Sequence, residues 1–336
     1  MAEIVEKPKP VTARDVAKRV FRHENTVLGV ILGAIIAAMA VVTKGKSLIP
    51  TNMMNVLLQS SIRGVSSIGQ AFVILTAGID LSVEGVGLMS AILGTTLMTK
   101  APYLSIVSHP WPFFVALPIM LLVGAGWGMV NGLLVSRVSM PALIATLGMW
   151  EITKGVGFHI CKGATISQQP DPLLFLGSGR IVGVPMPVII FVVVAVISYF
   201  VLNHTTYGRS VYAVGGSPVS AWLSGIKVKN ILLSSYAVSG FFASLAGVIA
   251  AARTMSAGTQ TLFGLVLDTI ASVVIGGVSL FGGRGSLIGV VMGVLIIGVI
   301  NNGMSILGAP PALMGIAKGT IIIGAVAIDY LRRRGR

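Results

Sequence analysis

At 336 residues, with 54% apolar and only 10% charged side chains, the chain departs sharply from a soluble domain, in which about a quarter of residues are charged. Its mean hydropathy of +0.93 places it in the membrane class before any motif is read. The net charge of +14 gathers at the two ends and in a few loops, the pattern of membrane topology rather than of a nucleic-acid surface.

Residues 1–26 form a basic N-terminal segment. Within it Ala13, Val16, Ala17, Val20 and Phe21 make a helical apolar stripe, with Arg14, Lys18, Arg19 and Arg22 off it. Thr12 and Asp15 have the spacing of a capping box. This predicts an amphipathic helix over 12–24 on the cytoplasmic lipid surface. Residues 27–43 read as a spanning helix rather than a signal peptide: the charged stretch before them is too long, and Ala38-Met-Ala40 lies inside the apolar run.

Further spans are predicted at 52–77, 82–99, 113–136, 141–160, 186–203, 230–252, 264–282, 286–304 and 313–331. The result is an all-α membrane protein of about ten transmembrane helices: a transmembrane domain over 27–331, with a docking loop at 204–229, and a basic tail at 332–336. An even number of spans puts both termini on one side. Fifteen basic residues then share that side and six the other, which makes both termini cytoplasmic. Arg63-Gly64 falls mid-span and predicts a broken or kinked helix. The polar stretch 253–263 is a candidate re-entrant segment. Asn131-Gly132 before Met140-Pro-Ala-Leu143, and Asn302-Gly303 before Pro310-Pro-Ala-Leu313, outline a candidate inverted repeat.

Catalytic motifs are lacking. His23, His109, His159 and His204 are scattered, the one cysteine, Cys161, excludes an internal disulfide, and no cluster has metal-ligand spacing. Gly45-Lys46-Ser47 lacks the leading glycine of a phosphate loop, since residue 40 is alanine. Such a chain is not an enzyme, and any ATP it uses is held by another chain. Glu151 and Lys154 are i,i+3 neighbours that can neutralise each other. Gly78, Asp80 and Ser82 make a structural turn, in which Asp80 or Ser82 can cap the next helix. Asp268 either caps a helix or lines a pathway. The neutral polar residues Gln59, Ser60, Gln70, Thr76, Asn131, Thr146, Ser272, Asn301 and Asn302 divide between interhelical hydrogen bonds and contacts to a hydroxyl-rich solute. All but Ser60, together with Asp268, are the candidate pathway-lining set.

The loop at 207–226 is the sharpest feature. Ser217 is placed to N-cap a helix with Pro218 at its first position, and Gly225 to end it. Val219, Ala221, Trp222 and Leu223 give that helix an apolar surface, which reads as a docking element for a partner.

Several segments together resemble the permease family of bacterial ABC importers for ribose and related monosaccharides. They are Gly69-Gln-Ala-Phe-Val-Ile-Leu-Thr-Ala-Gly-Ile-Asp-Leu-Ser-Val83, Ala145-Thr-Leu147, Thr206-Tyr-Gly-Arg209, Ala213-Val-Gly-Gly216, Leu223-Ser-Gly-Ile226, Leu267-Asp-Thr-Ile-Ala271, Ile275-Gly-Gly277, Gly282-Gly-Arg-Gly285 and Asn301-Asn-Gly303. The resemblance runs in order from about residue 55 to 331. It implies a multi-pass subunit of the bacterial inner membrane and a second permease chain, in a homodimer or heterodimer. It also implies two cytoplasmic ATPase domains that hold ATP and Mg, and a periplasmic or lipid-anchored solute-binding protein. No cofactor is implied on this chain. By the same resemblance the helix from Ser217 to Gly225 seats in a groove of the ATPase and couples hydrolysis to transport. The sequence departs from the family pattern at Ser217-Pro-Val-Ser-Ala221, at Trp222, where a basic residue is common, and at Glu84, where the turn usually has glycine. The alternative reading is an autonomous ion-coupled transporter, with Glu151 or Asp268 as the membrane carboxylate.

Overall fold

The computed structural model describes residues 24–334. The amphipathic helix expected over 12–24 lies almost wholly outside the described residues. The chain is all-α apart from one small hairpin. In order the helices are α1 (Glu24–Val42), α2 (Pro50–Leu75), α3 (Val83–Met98), α4 (Phe113–Ser136), α5 (Ala142–Cys161), α6 (Asp171–Ser178), α7 (Met186–His204), α8 (Thr206–Gly216), α9 (Pro218–Leu223), α10 (Val228–Thr254), α11 (Leu265–Ile275), α12 (Leu287–Ile306) and α13 (Pro311–Arg334). Strands β1 (Arg180–Ile181) and β2 (Val184–Pro185) pair antiparallel between α6 and α7.

Each of the ten predicted spans contains one helix. Among the described residues α1, α4, α7, α10 and α12 are long and apolar enough to cross a membrane; α3, α11 and the first part of α13 are shorter apolar helices. The eighth predicted span, 264–282, is too long. Helix α11 stops at Ile275, and Gly276 and Gly277 turn the chain into a glycine-rich loop, with Gly277 at φ +81°. The stretch 255–264 has no helix of its own. It turns back from α10 and is tied to the α5–α6 connection by a pair of hydrogen bonds between Ile166 and Ala257, at 2.7 and 2.9 Å.

Helix α2 is unbroken, against the kink expected at Arg63-Gly64. Its 26 residues rise about 39 Å at 1.5 Å each, enough to cross a bilayer. Gly64 is there for packing: a Cβ on it would strike the ring of Phe191 on α7. Arg63 needs no break in the backbone because its charge is met by a carboxylate, described below.

The largest apolar core gathers side chains of α2, α7, α10, α11 and α12. Helix α10 is central, buried along most of its second half and packed on α2, α3 and α4. Gly124, Gly128 and Gly132 of α4 form a stripe facing Leu233, Tyr236, Gly240 and Ser244 of α10, so close that a Cβ on any of the three would meet α10 backbone. Small residues bring the two backbones together, as packing in lipid requires. The two Asn-Gly pairs do comparable work. Asn131, near the end of α4, donates to Ser82 Oγ at 2.7 Å, and Asn302, near the end of α12, exchanges two 2.9 Å bonds with Asn52 at the start of α2.

Candidate functional site

Three features carry the candidate site. The first is the turn 76–82 between α2 and α3. Thr76 Oγ1 donates to Val73 O at 2.8 Å, and Ala77 takes a left-handed φ of +62°. Asp80 is fully buried. Its Oδ1 accepts from Ser82 N at 2.9 Å and from Ser82 Oγ at 2.6 Å, and its Oδ2 accepts from Ser239 Oγ on α10 at 2.7 Å. Three donors on one carboxylate offset the cost of burying it. Tyr236 Oη donates to Ile79 O at 3.3 Å and closes over Gly78. Thr146 Oγ1 lies 3.4 Å from the same oxygen, though its shorter bond, 2.8 Å, is to Ala142 O. The Gln70 amide lies against the backbone of Asp80; oriented to satisfy both groups, its nitrogen donates to Asp80 O at 3.0 Å and its oxygen accepts from Asp80 N at 3.2 Å. Gln70, Thr76, Asn131 and Thr146 therefore direct their hydrogen bonds to this turn or to the helices beside it. Glu84, buried in the first turn of α3, places Oε2 3.5 Å from Val266 N, a carboxylate at the positive end of α11.

The second feature is the α8–α9 element. Thr205 Oγ1 caps α8 by accepting from Gly208 N at 3.2 Å, and Ser217 Oγ caps α9 by accepting from Ser220 N at 3.2 Å. Pro218 stands in the first turn of α9, and Gly225 follows it at φ +82°, a conformation suited to glycine. Ala221 is buried inward, while Val219, Trp222 and Leu223 are 67%, 68% and 73% exposed. Helix α8, absent from the sequence-based elements, joins α9 to the bundle. A Cβ on Gly215 would collide with Leu75 O; Gly283 N donates to that same oxygen at 2.9 Å, and Tyr212 Oη donates to Gly285 O at 3.1 Å. The α8–α9 element, the end of α2 and the 276–285 loop thus meet closely, with backbone against backbone at Gly215, Leu75 and Gly283.

The third feature is a charge cluster between α2, α11 and α13. Arg63 Nε lies 2.9 Å from Asp268 Oδ2, and Lys318 Nζ lies 2.6 Å from Oδ1. Ser272 Oγ donates to Asp268 O at 2.7 Å. Asn301 is buried on α12, and Gln59 is half-buried on α2 beside Ser60. The candidate pathway set thus falls into three places: around the turn, around Asp268, and, for Asn302, at its amide pair with Asn52. Sequence reading left Arg63 and Lys318 out of that set, although their charge within spans was the available signal. Glu151 is mostly exposed and lies 3.6 Å from Lys154, while Asp268 is already met by two cations, so neither is a free membrane carboxylate.

The chain matches, over residues 52–326, the family described as the permease component of the branched-chain amino acid transport system. It belongs to that permease family. A ribose import permease of Haemophilus influenzae is 37% identical over 254 residues, covering 74% of this chain and 76% of the relative. A fructose import permease of Rhizobium meliloti is 36% identical, covering 80% and 75%. A D-allose transport system permease of Escherichia coli is 36% identical, covering 81% of each chain. No solved structure gives a significant match. This permease is a multi-pass membrane protein, and its family membership favours a transport-system subunit over an autonomous ion-coupled carrier.

Proposed function

We propose that the chain is the transmembrane subunit of an ATP-driven ABC importer for a monosaccharide or a related polyhydroxylated solute. The reading rests on family membership, on relatives named for ribose, fructose and D-allose, and above all on the α8–α9 element. Helix α9 exposes Trp222 and Leu223 while its supporting helix is held to the end of α2 by the close Gly215–Leu75 backbone approach and by Tyr207 stacked on Phe72. A partner that moves α9 moves that end of the bundle. The partner is a cytoplasmic ATPase holding ATP and Mg, two copies of which face two permease chains, with a solute-binding protein on the opposite side. The excess of basic residues on one side supports a cytoplasmic location for both termini and for α9.

The test is a complex of permease, ATPase and binding protein in proteoliposomes, assayed with radiolabelled D-ribose, D-fructose, D-allose and L-arabinose. ATP-dependent uptake of at least one sugar is expected. Trp222→Asp should abolish uptake and reduce ATPase co-purification; a variant that couples normally removes the docking role.

A further inference from the structure

Asp268 stands among polar atoms that the fold leaves unused. Its side chain is 5% exposed, against 21% for Arg63 and Lys318, so the cluster is closed on the carboxylate and open towards the two cations. Lys318 Nζ is close enough to Oδ1 for an ion pair but is not aligned as a hydrogen bond, so Oδ1 keeps accepting capacity. Of the other buried side-chain atoms without a hydrogen-bond partner among the described residues, Arg63 Nη1, Ser60 Oγ and Asn301 Nδ2 belong to the helices around Asp268.

These atoms belong to one locality. Ser60 lies one turn from Arg63 on α2, and its Oγ faces Gly298 of α12, one turn before Asn301. Gly276 meets Gly289 and Ser272 meets Gly293, so α11 and α12 run antiparallel. Continuing that register, Asn301 sits about one turn beyond the level of Asp268. The Asp268 acceptor thus lies beside Arg63, with the orphaned Ser60 Oγ and Asn301 Nδ2 about one turn away along α2 and α12.

A hydroxyl group donates one hydrogen bond and accepts two. Neighbouring hydroxyls are matched by a carboxylate that accepts their protons and by guanidinium, ammonium and amide groups that donate to their oxygens. We propose that Arg63, Asp268, Lys318, Asn301 and Ser60 form a contact site for a vicinal diol of the transported solute. The inference rests on the importer reading above and names the residues that grip the cargo within the membrane. A purely structural staple of three helices makes a different prediction. A buried ion pair or triad replaced whole by apolar residues of similar size is often neutral or stabilising.

The decisive variant is therefore the triple Arg63→Met/Asp268→Leu/Lys318→Met, in the complete proteoliposome system with the best-transported sugar of the four. The diol site predicts a fall in uptake of about tenfold or more, as for lost hydrogen bonds to charged groups, with ATPase co-purification and ATP hydrolysis retained. Uptake within about twofold of wild type would overturn it, since the staple reading alone survives that result. Asn301→Ala with Ser60→Ala buries no new charge and covers the case in which the triple variant fails to assemble. It should raise the sugar's KM and weaken discrimination against its deoxy analogues, a readout that a packing role would not move; an unchanged KM and selectivity would overturn the site. Wild-type preference for D-glucuronate over the neutral sugars, lost in Arg63→Gln, would make the site an anion site and overturn the diol assignment. A wild-type complex that takes up no sugar overturns the importer reading and this inference with it; one that transports while its variants are unaffected overturns the inference alone.

Discussion

Asp80 shows how a single side chain fixes a turn whose partners are far apart in sequence. Its Oδ1 holds Ser82, two residues on, while its Oδ2 takes the Ser239 hydroxyl, 159 residues away. Asp80→Ala would strand two buried hydroxyls and a backbone N–H, at about 1–3 kcal/mol for each group left unsatisfied. The detergent-solubilised variant should melt several degrees below wild type, with Asp80→Asn intermediate; equal melting temperatures would remove the role. Gly64 makes a second residue-scale test. Gly64→Val drives a side chain into Phe191 and should cost about 1–3 kcal/mol by overpacking. Phe191→Ala in the same chain should recover part of that loss, a non-additivity that separates a steric clash from a change in helix propensity. The local half of such sites was legible in the sequence. Asp80 with Ser82 is turn chemistry over three residues, and Ser217-Pro218 is a helix start. The distant half was not: nothing near Arg63 announces Asp268, so the arginine read as a break in its helix when it is one arm of an ion cluster.

Among the elements, spans were readable where apolar length alone defines them, as in α4, α7 and α12, whose bounds fall within a few residues of those expected. Helix α11 was overrun because Val278, Leu280 and Phe281 continue its apolar composition past the Gly276-Gly277 stop. The 204–229 loop was read as one short helix because α8 is amphipathic, glycine-rich and capped by Thr205, signals that fall below those of a span. Helix α8 is also the element that links α9 to the end of α2. Gly215→Val should force α8 away from Leu75 O and Gly283 N while leaving the Trp222 face of α9 intact. ATPase should still co-purify, and ATP-driven uptake should fall about tenfold or more, since the clash is with backbone that cannot turn aside as a rotamer would. Normal uptake per ATP hydrolysed would show that the Gly215 contact transmits nothing. Ser217→Ala is the milder counterpart. Losing the Ser220 N–H acceptor costs about 0.5–2 kcal/mol of α9 stability and should weaken ATPase retention without abolishing it.

At the scale of the whole molecule, the bundle is polarised. The end of α2, the α8–α9 element and the 276–285 loop share one end, and α8 and α9 lie between the inner ends of α7 and α10 as the positive-inside count orients them. Lys46, between α1 and α2, and Lys227, between α9 and α10, are both exposed and fall on opposite sides in that count. They offer a direct test of orientation in a Cys161→Ser background, since Cys161 is the one native thiol. In right-side-out vesicles a membrane-impermeant maleimide should label Lys46→Cys at once and Lys227→Cys only after permeabilisation. The outcome bears on more than topology. ATP is available only on the cytoplasmic side, so a docking helix can transmit its hydrolysis only from there. If Lys227→Cys is the one labelled from outside, Trp222 and Leu223 face away from any ATPase, and α9 has to be reassigned to a partner on the outer surface. The contact of α8 with the end of α2 is the same in either orientation; the orientation decides which partner's motion reaches it.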